Sequence, residues 1–370
     1  MPSLSFSGVR PAFFSRSGKQ AKWLLAGVLT LTFGCANQVM ANKQGQSMTT
    51  TPSATVSAFG SLSDATPVEK VILKNSNNVE VEVISFGGII TRIVTPDANC
   101  ELGNIVYGME TIEEIHSHYQ TQVDVAKRVN MVYDFALPPL ILHSLFNNNA
   151  DALLKWLKIS PRNCLTVLDT HDGIGIIDAG PMGEKPGLLN AEQIDNLVET
   201  MHANSNNQSR QATGAAASNV DLYQVNCTYY NALGANDFDY LLSRAIQFFA
   251  PGVPQVYYGG LFACENDMEL LAKTNVGRDI NRPYLNAAKI EQALNKPVVK
   301  GLIELIKMRN EHPAFAGEFS AQGGASVCCL MWKLEQQSIS LRIDFASRTA
   351  LITQLNGTQE STLNLQSLLA

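Results

Sequence analysis

The stretch Leu165-Thr166-Val167-Leu168-Asp169-Thr170-His171-Asp172-Gly173-Ile174-Gly175 decides the fold. An apolar run leads directly into an Asp-Thr-His-Asp cluster, and glycines release the backbone immediately afterwards. A strand covered on both faces reads as a near-continuous apolar run instead of an alternating one. In a (β/α) barrel such strands end at the rim that carries the chemistry. The stretch therefore predicts a buried parallel strand that delivers His171 and Asp172 to a functional face.

Downstream, Leu241-Leu242-Ser243-Arg244-Ala245-Ile246-Gln247-Phe248-Phe249 has helical periodicity. Pro251-Gly252-Val253-Pro254-Gln255-Val256-Tyr257-Tyr258 reads as a turn into a further buried strand. From about Glu318, alternating runs such as Ser338-Ile339-Ser340-Leu341-Arg342-Ile343 predict a small all-β domain. Upstream, Val68-Glu69-Lys70-Val71-Ile72-Leu73 and Val79-Glu80-Val81-Glu82-Val83-Ile84 alternate around an Asn75-Ser76-Asn77-Asn78 turn. Residues 42–67, rich in Ser, Thr, Gly and Ala, read as a flexible leader. At the start, Arg10, Arg16, Lys19 and Lys22 precede the apolar run Trp23 to Phe33, as in an export signal. Cleavage after Ala41 is expected, with lipidation at Cys35 as the alternative.

The 370 residues allow one large barrel or two ordinary domains, and the formal net charge of -6 argues against a nucleic-acid surface. Seven cysteines show no metal-ligand spacing, and their odd number argues against a disulfide framework. The adjacent Cys328 and Cys329 are read as packing thiols on opposite faces of a strand. No metal or cofactor is expected.

From near Ile112 to its end the chain resembles sucrose phosphorylases, which belong to the α-amylase clan. The likeness runs collinearly through His116-Ser117-His118-Tyr119, Val132 to His143, Leu165 to Gly175, His202 to Asn219, Asp221 to Asn226, Pro251 to Tyr258 and Gly277-Arg278-Asp279-Ile280-Asn281-Arg282. A second resemblance, to the opening strands of aldose 1-epimerases, rests on Val83 to Ile93, Pro96-Asp97 and Gly103-Asn104-Ile105-Val106-Tyr107-Gly108. With the signal at 1–41 and the leader at 42–67, they imply an α/β chain with an epimerase-like β-sandwich fragment at 68–111. A partial (β/α) barrel of about four βα units would follow at 112–317, with a loop insertion at about 181–237, then a β domain at 318–370.

The resemblance implies retaining transfer of a glucosyl group from sucrose to phosphate, giving glucose 1-phosphate and fructose. Such transfer needs a nucleophilic carboxylate and an acid that later serves as base. Asp172 would be the third, transition-state-stabilising carboxylate of the clan, with His171 as its sugar-binding neighbour. Arg278 would hold the donor glucosyl group, which suits a planar guanidinium able to pair with a carboxylate and a hydroxyl. Asp221 and Gln224 would hold sugar hydroxyls, Tyr223 would face phosphate, and His116 is a further substrate contact. Glu114 falls where the family keeps its acid/base, although Thr111-Ile112-Glu113-Glu114 lacks a buried strand's apolar run and also reads as a solvated junction. No counterpart of the family's nucleophilic aspartate precedes Glu114, so an inactive enzyme is expected. A non-catalytic sugar-binding remnant and an aldose 1-epimerase are the alternatives. Open strand edges also predict self-association. The signal segment points to the periplasm, while the family is usually cytoplasmic.

Overall fold

The computed structural model describes residues 51–62, 65–97, 101–106, 119–182, 185–213 and 224–370. The chain divides into two compact units between Ile115 and His116.

The first unit is an antiparallel meander. Strands β1 (Ser53–Ser61), β2 (Pro67–Lys74), β3 (Glu80–Ile84), β4 (Ile90–Pro96) and β5 (Leu102–Asn104) lie side by side in chain order. The β2–β3 turn falls at the Asn75–Asn78 run, where Asn75 Oδ1 accepts from the Asn77 and Val79 amides at 2.9 and 3.0 Å. Its small core consists of Val68 and Ile84, with Phe59, Leu62 and Ile89 packed against them.

One expectation changes here. Within the segment read as a flexible leader, Ser53–Ser61 is a strand paired with β2 from Ser53↔Lys74 to Ser61↔Pro67. A ladder joins backbone groups, so small side chains do not oppose it. Most of β1 is exposed on both faces, which is why no apolar alternation marks it in sequence.

The second unit begins with a parallel sheet. Strands β6 (Val132–Asp134), β7 (Cys164–Thr166) and β10 (Val253–Pro254) are ordered β10-β7-β6, both pairings parallel. A short antiparallel pair, β8 (Ile174–Gly175) with β9 (Gln224–Val225), follows the β7 strand end. The helices of eight or more residues among the described residues are α1 (Tyr119–Ala126), α2 (Leu137–Asn147), α3 (Asp151–Ile159), α4 (Ala191–Asn204), α5 (Asp237–Phe249), α6 (Ala287–Leu294) and α7 (Pro297–Glu311).

Their ends follow from sequence. Two prolines sit in the first turn of α2, where no backbone N–H is required. A capping box between Asn190 and Gln193 starts α4. Asn236 caps α5, and Asp237 and Asp239 in its first turn oppose the helix dipole. From Tyr240 to Phe249, α5 is buried at every residue.

The stretch 251–258 departs from its reading as a turn into a buried strand. Only Val253 and Pro254 pair, and Val253 is 53% exposed. The register explains this: Tyr133, Leu165 and Val253 form one row across the three strands. That row faces away from the side on which Asp134, Cys164 and Thr166 are buried. At Gly252 (φ +106°) a Cβ would sit 2.5 Å from the Cys164 carbonyl oxygen, so only glycine lets the chain pass so close.

The chain ends in a second meander: β11 (Glu318–Gly324), β12 (Val327–Leu334), β13 (Gln337–Asp344), β14 (Thr349–Asn356) and β15 (Gln359–Asn364). Leu330, Leu341 and Ile352 align across its three central strands, all fully buried. Cys328 points into the core, Cys329 is half-buried, and both are free thiols.

Candidate functional site

The strand end of β7 sorts its polar residues into two jobs. Asp169 is structural: both of its oxygens lie 2.8 Å from Nη2 of Arg244, a fully buried residue of α5. Tyr240 accepts from the same guanidinium and donates to the Gly260 carbonyl at 2.6 Å. Burial opposes the Arg244 charge, yet Asp169 and Tyr240 hold its pKa above the ordinary guanidinium value. This clamp fixes where the chain leaves the sheet.

Three residues on, Asp172 faces an open site. Its Oδ1 lies 3.0 Å from Arg278 Nη1, 3.5 Å from Arg282 Nη2 and 3.7 Å from His171 Nε2. The cations stand on or beside the 3-10 turn Gly277–Asn281, which grips the strand end through its backbone. Asn281 Nδ2 donates to the Asp172 and Thr170 carbonyls at 2.7 and 3.2 Å, and Arg282 Nε donates to the His171 carbonyl at 2.7 Å. The cations reach solvent, with the His171 side chain 72% exposed, so water screens their side of the pairs, while Asp172 Oδ1 itself is buried without a hydrogen-bond partner. They orient the carboxylate more than they stabilise the fold.

Around the cluster the structure offers acceptors. Gln224 Oε1, Asn226 Oδ1 and Asn281 Oδ1 are buried without a hydrogen-bond partner. Gly173 packs so tightly here that a Cβ would lie 2.8 Å from both Asn226 Oδ1 and the Val225 carbonyl. An unsatisfied buried acceptor costs about 1–3 kcal/mol. Ligand hydroxyl groups, as donors, would satisfy such atoms.

Of the residues singled out from sequence, His171, Asp172 and Arg278 meet directly, and Gln224 pairs with Gly175 on the neighbouring ribbon. Glu114, His116, Asp221 and Tyr223 lie outside the described residues. Sequence reasoning assigned no role to Arg282, Asn281 or Asn226. The signal for the first two was present in Gly277–Arg282, where one helical turn separates Arg278 from Arg282. Asn226 carried none, because its importance arises only when β8 meets β9.

Asp134, at the end of β6, is buried and receives hydrogen bonds from Trp156 Nε1 at 3.1 Å and the Leu137 amide at 3.0 Å. Burial pushes its pKa up to about 7 despite those donors. It anchors the start of α2.

Parallel strands in chain order, a carboxylate–guanidinium cluster at a strand end and a closing antiparallel sheet accompany sequence similarity to glycoside phosphorylases. Homologues of the sucrose phosphorylase family cover about two-thirds of the chain. The sucrose phosphorylase of Agrobacterium vitis is 58% identical over 248 residues, which is 66% of this chain and 51% of that protein. That of Bifidobacterium adolescentis is 57% identical over 216 residues, 58% of this chain and 43% of that protein. The crystal structure of sucrose 6F-phosphate phosphorylase from Thermoanaerobacter thermosaccharolyticum superposes with a TM-score of 0.59 at 36% identity, covering 68% of this chain and 51% of that one. The chain thus spans about half the length of the relatives it matches. No family model matches it.

Proposed function

We propose that this chain carries the sugar-holding face of a sucrose-phosphorylase-type enzyme, and that the 370 residues alone do not turn sucrose over. The observation that carries the reading is the meeting of Asp172, Arg278, Arg282 and His171 at the end of β7. The three parallel strands are read as part of a (β/α) barrel, whose strand ends are where such sites lie.

In this reading Asp172 accepts hydrogen bonds from the glucosyl hydroxyls and strengthens them as oxocarbenium character develops. Arg278 and Arg282 hold that carboxylate in place, and His171 contacts the sugar from the solvent side. Asp221 and Gln224 take fructose hydroxyls, Tyr223 faces the entering phosphate, and Glu114 is the candidate acid/base. Among the described residues upstream of Glu114 no attacking carboxylate is identified. Upstream of Glu114, the described residues are an antiparallel sheet, and their aspartate, Asp97, accepts from the Glu101 amide in a turn. Without a nucleophile no glucosyl–enzyme bond forms, so transfer to phosphate has no covalent route.

The test has two readouts. Incubated with sucrose and inorganic phosphate, the full chain is expected to release no glucose 1-phosphate above background. Titration with glucose is expected to shift the His171 ring resonances saturably, and Asp172→Asn to weaken that response about tenfold or more. Release of glucose 1-phosphate would overturn the inactivity, and unmoved His171 resonances would overturn the sugar-holding role.

Three further assignments belong to the same reading. Residues 68–111 are read as aldose 1-epimerase-like in sequence and without chemistry, so polarimetry of fresh α-glucose should show the uncatalysed rate. The segment 1–41 directs export, and N-terminal sequencing of the periplasmic protein should begin at Asn42; a lipid on Cys35 or cytoplasmic retention would contradict it. The outer strands of the parallel sheet favour self-association, which sedimentation at increasing concentration would reveal.

A further inference from the structure

A cavity of about 420 Å³ opens in the His116–Ala370 unit where α2, α3 and α4 meet. Its polar lining includes His143, Asn147, Asp151, Lys155, Gln193 and Asn196. None of these belongs to the Asp172 cluster.

His143 is the informative residue. It sits among the fully buried Leu140, Ile141, Leu142 and Leu145 on α2 and is itself only 5% exposed. Asn147 Nδ2 approaches its Nδ1 at 3.1 Å and also donates to its carbonyl at 3.0 Å. An amide nitrogen can only donate, so Nδ1 accepts and the ring proton sits on Nε2. No partner for that Nε2 exists among the described residues, although the ring lines the cavity. Burial lowers the pKa of His143, which keeps the ring neutral near pH 7. The ring is buried, but Nε2 is not among the sealed, unpartnered atoms of the core, so its proton is open to the cavity and can be taken there by water or by a ligand acceptor.

The surrounding groups divide into a fixed frame and free hydrogen-bonding atoms. Asp151 Oδ1 accepts from the Ala325 amide at 3.0 Å, and the Asp151 amide donates to Asn149 Oδ1 at 2.8 Å. Gln193 is locked in its capping box with Asn190. Against this frame Asn147 retains its Oδ1 as acceptor, and the Lys155 ammonium and the Asn196 carboxamide have no partner among the described residues. Donors and acceptors therefore both line one space, and vicinal hydroxyls can use either. The lining carries one cation, Lys155, and one anion, Asp151. The volume lies within the usual range of small-molecule sites, about 300–1,000 Å³.

We propose that this cavity is a second sugar site, separate from the Asp172 cluster, which takes a neutral polyol of mono- or disaccharide size. The experiment is NMR of the full-length chain titrated with glucose, sucrose and, separately, inorganic phosphate. It reads the His143 ring and the Asn196 side-chain amide. Both sugars are expected to move these signals saturably, with the response unchanged in Asp172→Asn and weakened at least about tenfold in Lys155→Ala/Asn196→Ala. Lys155 and Asn196 are exposed, so the double variant should melt like the parent chain. The proposal is overturned if sugar at concentrations on the order of 50 mM leaves both signals still. It is equally overturned if phosphate moves them at lower concentration than sugar, or if Asp172→Asn abolishes the response.

Discussion

Two five-stranded antiparallel sheets occupy this chain, Ser53–Asn104 and Glu318–Asn364, and both run in simple chain order. Their ladders are alike but their cores are not. The first rests on Val68 and Ile84 with three half-buried partners. The second contributes Cys328, Leu330, Trp332, Ile339, Leu341, Ile343, Ala350 and Ile352 to a cluster that also includes α2, α5 and α7. Hydrogen-bonded strands exchange water for backbone partners at little net gain. Removing apolar area from water, at roughly 25 cal/mol per Å², is what separates the two sheets. Topology alone says little about stability.

The sharpest way to test that contrast is charge. In the second unit Arg244 and Asp169 are a buried pair, whereas Arg92 and Glu80 in the first sheet are an exposed one at 3.0 Å. Arg244→Met strands the Asp169 carboxylate in the core and is expected to cost about 3–5 kcal/mol. Urea denaturation followed by tryptophan fluorescence would measure it, because Trp156 and Trp332 both lie in this unit. A loss under about 1 kcal/mol would mean that water reaches Asp169. Next comes Leu341→Ala, at the centre of the Leu330–Leu341–Ile352 row, with an expected cost of about 3 kcal/mol. Val81→Ala in the first sheet should cost about 1 kcal/mol, read by hydrogen exchange of β3 amides. Equal costs would break the comparison.

These differences were unequally legible in sequence. The central strands of both sheets announce themselves by alternation, because one face is apolar and the period is two. Strand β1 does not, since most of its side chains stay in water and only Phe59, near its end, packs against the core. The β7 strand end was legible as an apolar run ending in polar residues, and its site residues His171, Asp172 and Arg278 do converge. What sequence could not separate was Asp169 from Asp172. The two stand three residues apart with the same side chain, and only the approach of Arg244 from α5, 75 residues later, makes the first structural. Asn226 stayed invisible for the same reason: a long-range contact creates its role.

Buried carboxylates sharpen the comparison further. Glu82 in the first sheet has Lys70 Nζ at 3.3 Å and accepts from Thr91 at 2.8 Å, whereas no cation faces Asp134 in the described structure. With a folded pKa of about 7 against an ordinary 3.8, Asp134 holds more protons folded than unfolded between those values. Stability from this group is therefore full below about pH 4 and is lost as pH rises to about 7. Asp134→Asn retains an acceptor for Trp156 without the charge. It should flatten this part of the profile and raise stability at pH 8 by about 2 kcal/mol, measured by urea denaturation across pH. An unchanged slope would show that another group sets it.

The smallest effect closes the contrast from the other side. Arg92→Ala removes the cation of an exposed cross-strand pair whose arginine side chain is 49% exposed. Water already solvates both ions, and holding two long side chains together costs entropy that offsets most of the attraction. The expected change is within about 0.5 kcal/mol and should shrink further at 1 M salt, where screening acts over about 3 Å. Hydrogen exchange of the β3 and β4 amides is the appropriate readout, since it reports on this sheet alone. A loss of about 2 kcal/mol would show that the first sheet, short of core, depends on its charges, and burial would no longer be the quantity that distinguishes the two.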